Sequence, residues 1–327
     1  MKPNTTAVAV RDTADLATPV VWQPDQNPAR VYIARLASGS RPSMCGALDL
    51  VADMLTGGKV EADRLPWQNL RYQHTAALRT ALIESGRAPA TCNRILAAVR
   101  GVLKEAWRLG LMNAEDYTRA ADVTAVKSER LPAGRSIKPR ELSALFEACA
   151  KDTTPAGSRD AALIAVMYAA GLRRAEVEAL DVANFDADTG ALTVRGGKGN
   201  KDRVTYATNG ARDAITDWLR VRGLEPGAMF LSLTKSGAIT GRRLTAHAMG
   251  AVVGRRAKEA GIDHVGCHDF RRSFVSDLLD AGADITTVQR LAGHANVSTT
   301  ARYDRRGEDA KQRAAAMLAV PYTRRGR

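Results

Sequence analysis

The sequence predicts a mainly α-helical protein of two domains, with a small antiparallel β-sheet in the second. Three observations carry that prediction. The chain has 327 residues, a length that suits two domains better than one. Apolar residues recur at helical spacing through most of it, as in Ile95, Leu96, Val99, Val102, Leu103, Ala106 and Trp107. In one region the period switches to two. Leu192 and Val194, then Val204 and Tyr206, flank a glycine-rich stretch, residues 196–202, that reads as a hairpin loop.

Residues 1–28 are polar, proline-punctuated and aperiodic, and read as a disordered tail. Residues 29–124 read as a helical domain. Ser43 is placed to cap a helix running through Ala47, Leu48, Val51 and Leu55, which Gly57 and Gly58 would stop. A second helix is expected over 73–85. A third follows Pro89 and Thr91 and stops at Gly110, and its outer face shows Arg94, Arg100, Lys104 and Arg108. Residues 125–137 have weak periodicity, a proline and a glycine, and read as a linker carrying Lys127, Arg130 and Arg135.

The second domain is expected over 138–320. Pro139 opens a helix through Leu145, Phe146 and Cys149. Residues 158–170 form the next, closed by Gly171 as a C-terminal cap. Arg173 follows that cap and precedes a short helix over 175–180. A charged side chain just past a buried helix end can point into a cleft. Lys198 lies in the hairpin loop, where glycines let the backbone approach a ligand. The remainder reads as mostly helical, over 211–222, 246–260, 269–281, 285–292 and 308–320, with residues 321–327 as a basic tail.

Composition narrows the partners. Forty-eight Lys and Arg against 35 Asp and Glu leave a net charge of +13, which suits a polyanion, because each phosphate neutralised releases counterions. The four cysteines, Cys45, Cys92, Cys149 and Cys267, form no Cys-x-x-Cys pair, and three sit in apolar helical patterns. They read as free thiols suited to a reducing cytoplasm. No apolar run reaches membrane-spanning length and no signal peptide is evident, so a soluble cytoplasmic protein is expected.

The chemistry concentrates near the C-terminus. Leu291, Ala292, Gly293 and His294 lead into a Ser/Thr run, and Tyr303 follows among Arg302, Arg305 and Arg306. A tyrosine in basic surroundings suits attack on a phosphate, since cations favour the phenolate and attract the substrate. Upstream, His268 and Arg271 stand one helical turn apart. Taken in order with Arg173 and Lys198, these residues resemble the tyrosine recombinase (phage integrase) family, most closely its Xer-like members. The family pattern falls on Arg173, Lys198, His268, Arg271, His294 and Tyr303. The likeness covers residues 140–318 well and 30–125 loosely. No single piece of it is specific, whereas the ordered set is.

The resemblance implies a two-domain DNA clamp, with a helical core-binding domain and a catalytic domain on a duplex. It implies transesterification without cofactor, metal or ATP, and the sequence holds no phosphate loop. Arg173 and Arg271 would clamp the non-bridging oxygens of the phosphorane. A tyrosine ionises near pH 10, so only about one in a thousand is phenolate at pH 7, and His268 is the candidate to take its proton. Lys198 would protonate the leaving 5′-oxygen, with Lys201 and Arg203 as lesser alternatives, and His294 would donate to the phosphoryl group. Glu176 would orient Arg173 through an ion pair. Candidate DNA contacts are Arg94, Arg100, Lys104, Arg108, Lys127, Arg130, Arg135, Lys201 and Arg203. Partners implied are double-stranded DNA with an inverted-repeat core site and further copies of the chain, four of them on DNA. His74, His247 and His264 take no role. A metal nuclease would need clustered ligands that the sequence lacks. A type IB topoisomerase or a non-cleaving DNA-binding relative is the alternative.

Overall fold

The computed structural model describes residues 16–127, 134–196, 202–304, 315–318 and 321. Two compact units divide between Leu131 and Pro132. Among the described residues the fold is mainly helical, with two small antiparallel hairpins, both in the second unit.

The first unit is built from α1 (Pro28–Ala34), α2 (Arg41–Thr56), α3 (Tyr72–Glu84), α4 (Pro89–Arg108) and α5 (Ala114–Ala121). Its core forms where the apolar stripe of α4 meets Leu48, Val51 and Leu55 of α2 and Leu78 and Leu82 of α3. Four details differ from the sequence expectation. Leu16 is fully buried in this core and the Val20 N–H donates to the Arg64 carbonyl at 2.8 Å, so ordered packing begins well before residue 28. Helix α1 was not anticipated. Asn27 caps it by accepting from the Ala29 and Arg30 amides, a signal hidden by the adjoining Pro28. Helix α5 was also missed, although Asn113 caps it at the Asp116 amide, 2.8 Å away. Ser43 does not cap α2. It lies inside the helix, and its hydroxyl accepts from Arg94 at 2.7 Å.

The second unit runs α6 (Pro139–Lys151), α7 (Pro155–Ala169), α8 (Arg174–Ala179), β1 (Ala191–Val194), β2 (Arg203–Tyr206), α9 (Gly210–Arg222), β3 (Leu231–Leu233), β4 (Ile239–Arg243), α10 (Ala246–Glu259), α11 (Cys267–Asp280), α12 (Ile285–Ala292) and α13 (Val297–Ala301). Strands β1 and β2 pair antiparallel with Val194 opposite Arg203. That register places Val194 and Arg203, with their neighbours Arg195 and Asp202, at one end of the ladder. The hairpin β3–β4 falls in the gap between the helices expected over 211–222 and 246–260, and its alternation lasts too few residues to register. The core gathers Leu163, Val166 and Met167 of α7 with Trp218, Phe230, Val253 and Phe270.

One polar cluster lies at its edge, with Asp160 and Arg256 buried and Arg255 and Glu259 reaching solvent. Asp160 is 0% exposed and accepts from Arg159, Arg255 and Arg256, while Arg256 also binds Asp152 and Glu259. The buried Arg256–Asp160 pair, at 2.9 Å, links α10 to α7. Burial pushes the nearby Cys149 thiol up to about 12, so it is a packing residue. All four cysteines are free; Cys45 is exposed and the other three are buried.

The expected C-terminal helix over 308–320 falls largely outside the described residues. Of its described residues, Met317 and Leu318 are 83% and 78% exposed.

Candidate active site

Helix ends make the site. Helix α7 closes at Gly171, whose φ of +60° is a conformation that favours glycine, and an added Cβ would come within 2.3 Å of the Phe274 ring. The turn delivers Arg173 to the N-terminus of α8. There the Glu176 carboxylate accepts the Arg173 amide at 2.9 Å and its guanidinium at 2.7 Å. Helix α12 closes at Gly293, with φ +66°, and an added Cβ there would come within 2.8 Å of Arg203 Nε.

The end of α12 organises three arginines. Its terminal carbonyls lack helical partners. Leu291 accepts from Arg203 Nε at 3.1 Å, Ala292 from Arg271 at 2.6 Å and Gly293 from Arg173 at 3.1 Å. Three successive carbonyls thus hold three guanidiniums, with the helix dipole favouring positive charge there. Arg271 also donates to the Gly171 carbonyl at 2.6 Å, which ties the ends of α7 and α12 together. Arg203 grips both Glu176 oxygens, at 3.0 and 2.8 Å.

The electrostatics follow. Burial alone would raise the Glu176 carboxyl, but Arg203 and Arg173 overcome it and hold the group at about 2. Arg271, 2% exposed, is lowered to about 10 by burial and by the neighbouring Arg173, and stays a cation at neutral pH. His294, 8% exposed, is lowered to about 4 by burial and then by Arg271, Arg173 and Arg203. It is therefore neutral at physiological pH. Its Nδ1 lies 2.9 Å from the Thr300 hydroxyl. If that hydroxyl donates, the imidazole proton sits on Nε2, free to point at an anion. His268 is the second residue of α11 and is exposed at the mouth of the cleft, and partial desolvation, then Arg271, lower its pKa. That shift favours the neutral imidazole, the state a proton acceptor needs.

Tyr303 follows α13. Its amide bonds to the Thr300 carbonyl at 2.9 Å, and its ring lies 6.2 Å from the His294 ring at an interplanar angle of 13°. The structure therefore brings together Arg173, His268, Arg271, His294 and Tyr303, and adds Glu176 and Arg203 behind them. Lys198 and Lys201 lie outside the described residues, as does Arg130.

Several candidate DNA contacts have other work. Arg203 is a scaffold residue with a side chain 12% exposed, so it is neither a surface contact nor a stand-in for Lys198. Arg100 donates to the Ala121 and Val123 carbonyls, and Arg108 pairs with Glu105. Arg135 pairs with Glu141 and donates to the His264 carbonyl at 2.8 Å; it belongs to the second unit's frame instead of a free linker. Arg94, Lys104 and Lys127 are exposed. Sequence reasoning missed Arg272 and Thr300. Neither an arginine directly after Arg271 nor a threonine in a Ser/Thr run carries a signal of its own.

A cleft of guanidiniums and neutral imidazoles beside a tyrosine is the equipment of a DNA strand transferase that works through tyrosine. The chain belongs to the phage integrase family, to which residues 135–309 match. It is 34% identical over 245 residues to the tyrosine recombinase XerC of Alcanivorax borkumensis, covering 73% of this chain and 76% of the relative. It is 31% identical to XerC of Corynebacterium glutamicum, covering 68% and 69%. Among solved structures it resembles the Tn1549 transposon integrase in complex with a circular intermediate DNA, with a TM-score of 0.67, 13% identity and coverage of 91% and 100%. It also resembles the XerH site-specific recombinase bound to a palindromic difH substrate, with a TM-score of 0.63, 20% identity and coverage of 93% and 92%. It is a tyrosine site-specific recombinase by family. Among the described residues no helix is long and apolar enough to cross a membrane.

Proposed function

We propose that this chain cleaves and rejoins DNA at a specific site through a 3′-phosphotyrosyl intermediate formed on Tyr303. The observation that carries this is the placement of the Tyr303 ring beside His294, in the cleft where α12 holds Arg173 and Arg271. The Tyr303 oxygen attacks phosphorus and its proton passes to His268. The new P–O bond forms as the bond to the 5′-oxygen breaks, and Lys198 protonates that oxygen. A 5′-hydroxyl from a second duplex reverses the step, so the phosphodiester energy is kept and ATP is not consumed. Arg173 and Arg271 neutralise the phosphorane oxygens, and His294 donates to the same group.

The substrate in this reading is duplex DNA with an inverted-repeat core. The excess of basic residues supports it, and so do the DNA complexes of XerH and the Tn1549 integrase. Both units would contact the duplex. A duplex selected from a randomised library by the full chain provides the test. Incubated in EDTA, the protein should form covalent adducts with that duplex and recombine plasmids that carry it. Relaxation of supercoiled plasmids with and without the site alike would point to a topoisomerase. Binding without adducts would point to a non-cleaving relative.

Strand exchange joins two duplexes with four cuts, so four protomers would assemble on DNA. The exposed Met317 and Leu318 suit a contact with a neighbouring copy, small enough that assembly waits for DNA. Truncation after Gly307 should then leave binding to a single half-site intact and remove cooperative filling of two. A gel-shift series with circular dichroism as folding control measures this. Undiminished cooperativity in the truncated protein would place the coupling elsewhere.

A further inference from the structure

Helix α11 carries a second arginine, Arg272, to which the proposed chemistry gives no task. Its side chain is buried, at 4% exposure, and its guanidinium carbon lies 5.6 Å from the centroid of the Tyr303 ring. That is the separation of a cation stacked on an aromatic face. The same arginine lies against the start of the described second unit. A Cβ added to Gly134 would meet Asp269 Oδ1 at 3.0 Å and an Arg272 terminal nitrogen at 3.4 Å, and φ there is +102°.

The chain after Gly134 is fastened to the same helix. The Arg135 amide donates to Asp269 Oδ1 at 3.1 Å and the Ile137 amide to Ser273 Oγ at 2.7 Å. Adjoining stripes of α11 therefore do different jobs. His268 and Arg271 belong to the cleft. Asp269 and Ser273 hold residues 134–137, and Arg272 spans from that segment to the Tyr303 ring.

We infer that Arg272 is a positioning residue that holds the Tyr303 ring in its attacking orientation and transmits to it the placement of residues 134–137. This rests on Tyr303 as the nucleophile. An in-line displacement is sensitive to small rotations of the attacking group. A ring that follows a five-residue helix needs an external hold, and a buried guanidinium over its face supplies one. Because Arg272 packs on Gly134, any shift of that segment moves the guanidinium and, through it, the ring.

The test uses the full chain and two readouts. In aromatic NMR spectra, the Tyr303 resonance is the one missing from Tyr303→Phe. Arg272→Gln should shift it, Arg272→Lys should leave it near its original position, and Gly134→Ala should shift it without touching Tyr303. Single-turnover cleavage of the selected duplex should slow about tenfold in Arg272→Gln and recover to within about threefold in Arg272→Lys, the range of a cation–π contact, with half-site affinity unchanged. If Arg272→Gln melts early, Arg272→Lys and Gly134→Ala decide on the same readouts. Wild-type cleavage and an unmoved resonance in Arg272→Gln would overturn the inference, and an unmoved resonance in Gly134→Ala would overturn its second half. Adducts persisting in Tyr303→Phe would instead remove the nucleophile on which it stands, a distinct failure.

Discussion

Tyr303→Phe is expected to abolish covalent DNA–protein adducts while half-site affinity stays within about twofold. The substitution deletes one oxygen and almost no volume, so the ring contacts with His294 and Arg272 persist. What disappears is the atom that bonds to phosphorus, and the loss of a nucleophile costs about four orders of magnitude or more. Denaturing gels of the protein with labelled duplex in EDTA measure it. Adducts that survive in the Phe variant would remove Tyr303 from the mechanism, and adducts that require Mg²⁺ would remove the arginines from theirs.

Glu176→Gln should be the most damaging change away from the nucleophile. The carboxylate is 7% exposed and accepts from Arg203 twice and from Arg173 twice. Its folded pKa of about 2 lies below the ordinary 4.5. The stability this contributes is full above pH 4.5 and is lost as pH falls toward 2, for a total of about 3 kcal/mol. The Gln variant lacks that term, so its acid-denaturation slope between pH 5 and 2 should be shallower. At pH 7 it should be less stable by about 3–5 kcal/mol, because Arg203 stays buried with its counter-charge gone. Cleavage should fall as well, since Arg173 loses the group that aims it. Denaturant titrations across pH read the first two effects. An unchanged acid slope would show that Glu176 does not carry the linkage.

Much of the helical architecture was legible because it is periodic. The stripe of α4 and the Gly171 cap each leave a local mark that survives without any knowledge of the fold. Elements α1, α5 and β3–β4 were not legible. The first two are short helices announced by a single asparagine, and the last is a hairpin whose strands have too few residues to alternate visibly. The polar residues of the candidate site stood out as an ordered set, but their division of labour did not. Arg94, Arg100, Arg108, Arg135 and Arg203 look alike in a sequence. In the structure Arg100 secures carbonyls, Arg203 neutralises a buried carboxylate, and Arg94 is exposed. For Arg203 the answer depends on a pairing with Leu291, 88 residues away, and no local pattern encodes that.

The two glycine turns bear on how such a protein would lose its activity. Gly171 and Gly293 offer no chemistry, yet their carbonyls receive Arg271 and Arg173, and a methyl group on either would collide with Phe274 or Arg203. A descendant could therefore retain every polar residue of the signature and still fall silent through one alanine. It would keep the surface charge that attracts DNA and pass any motif search for an intact enzyme. Decay from a strand-exchanging protein to a passive occupant of its own site can begin at a position with no side chain to lose.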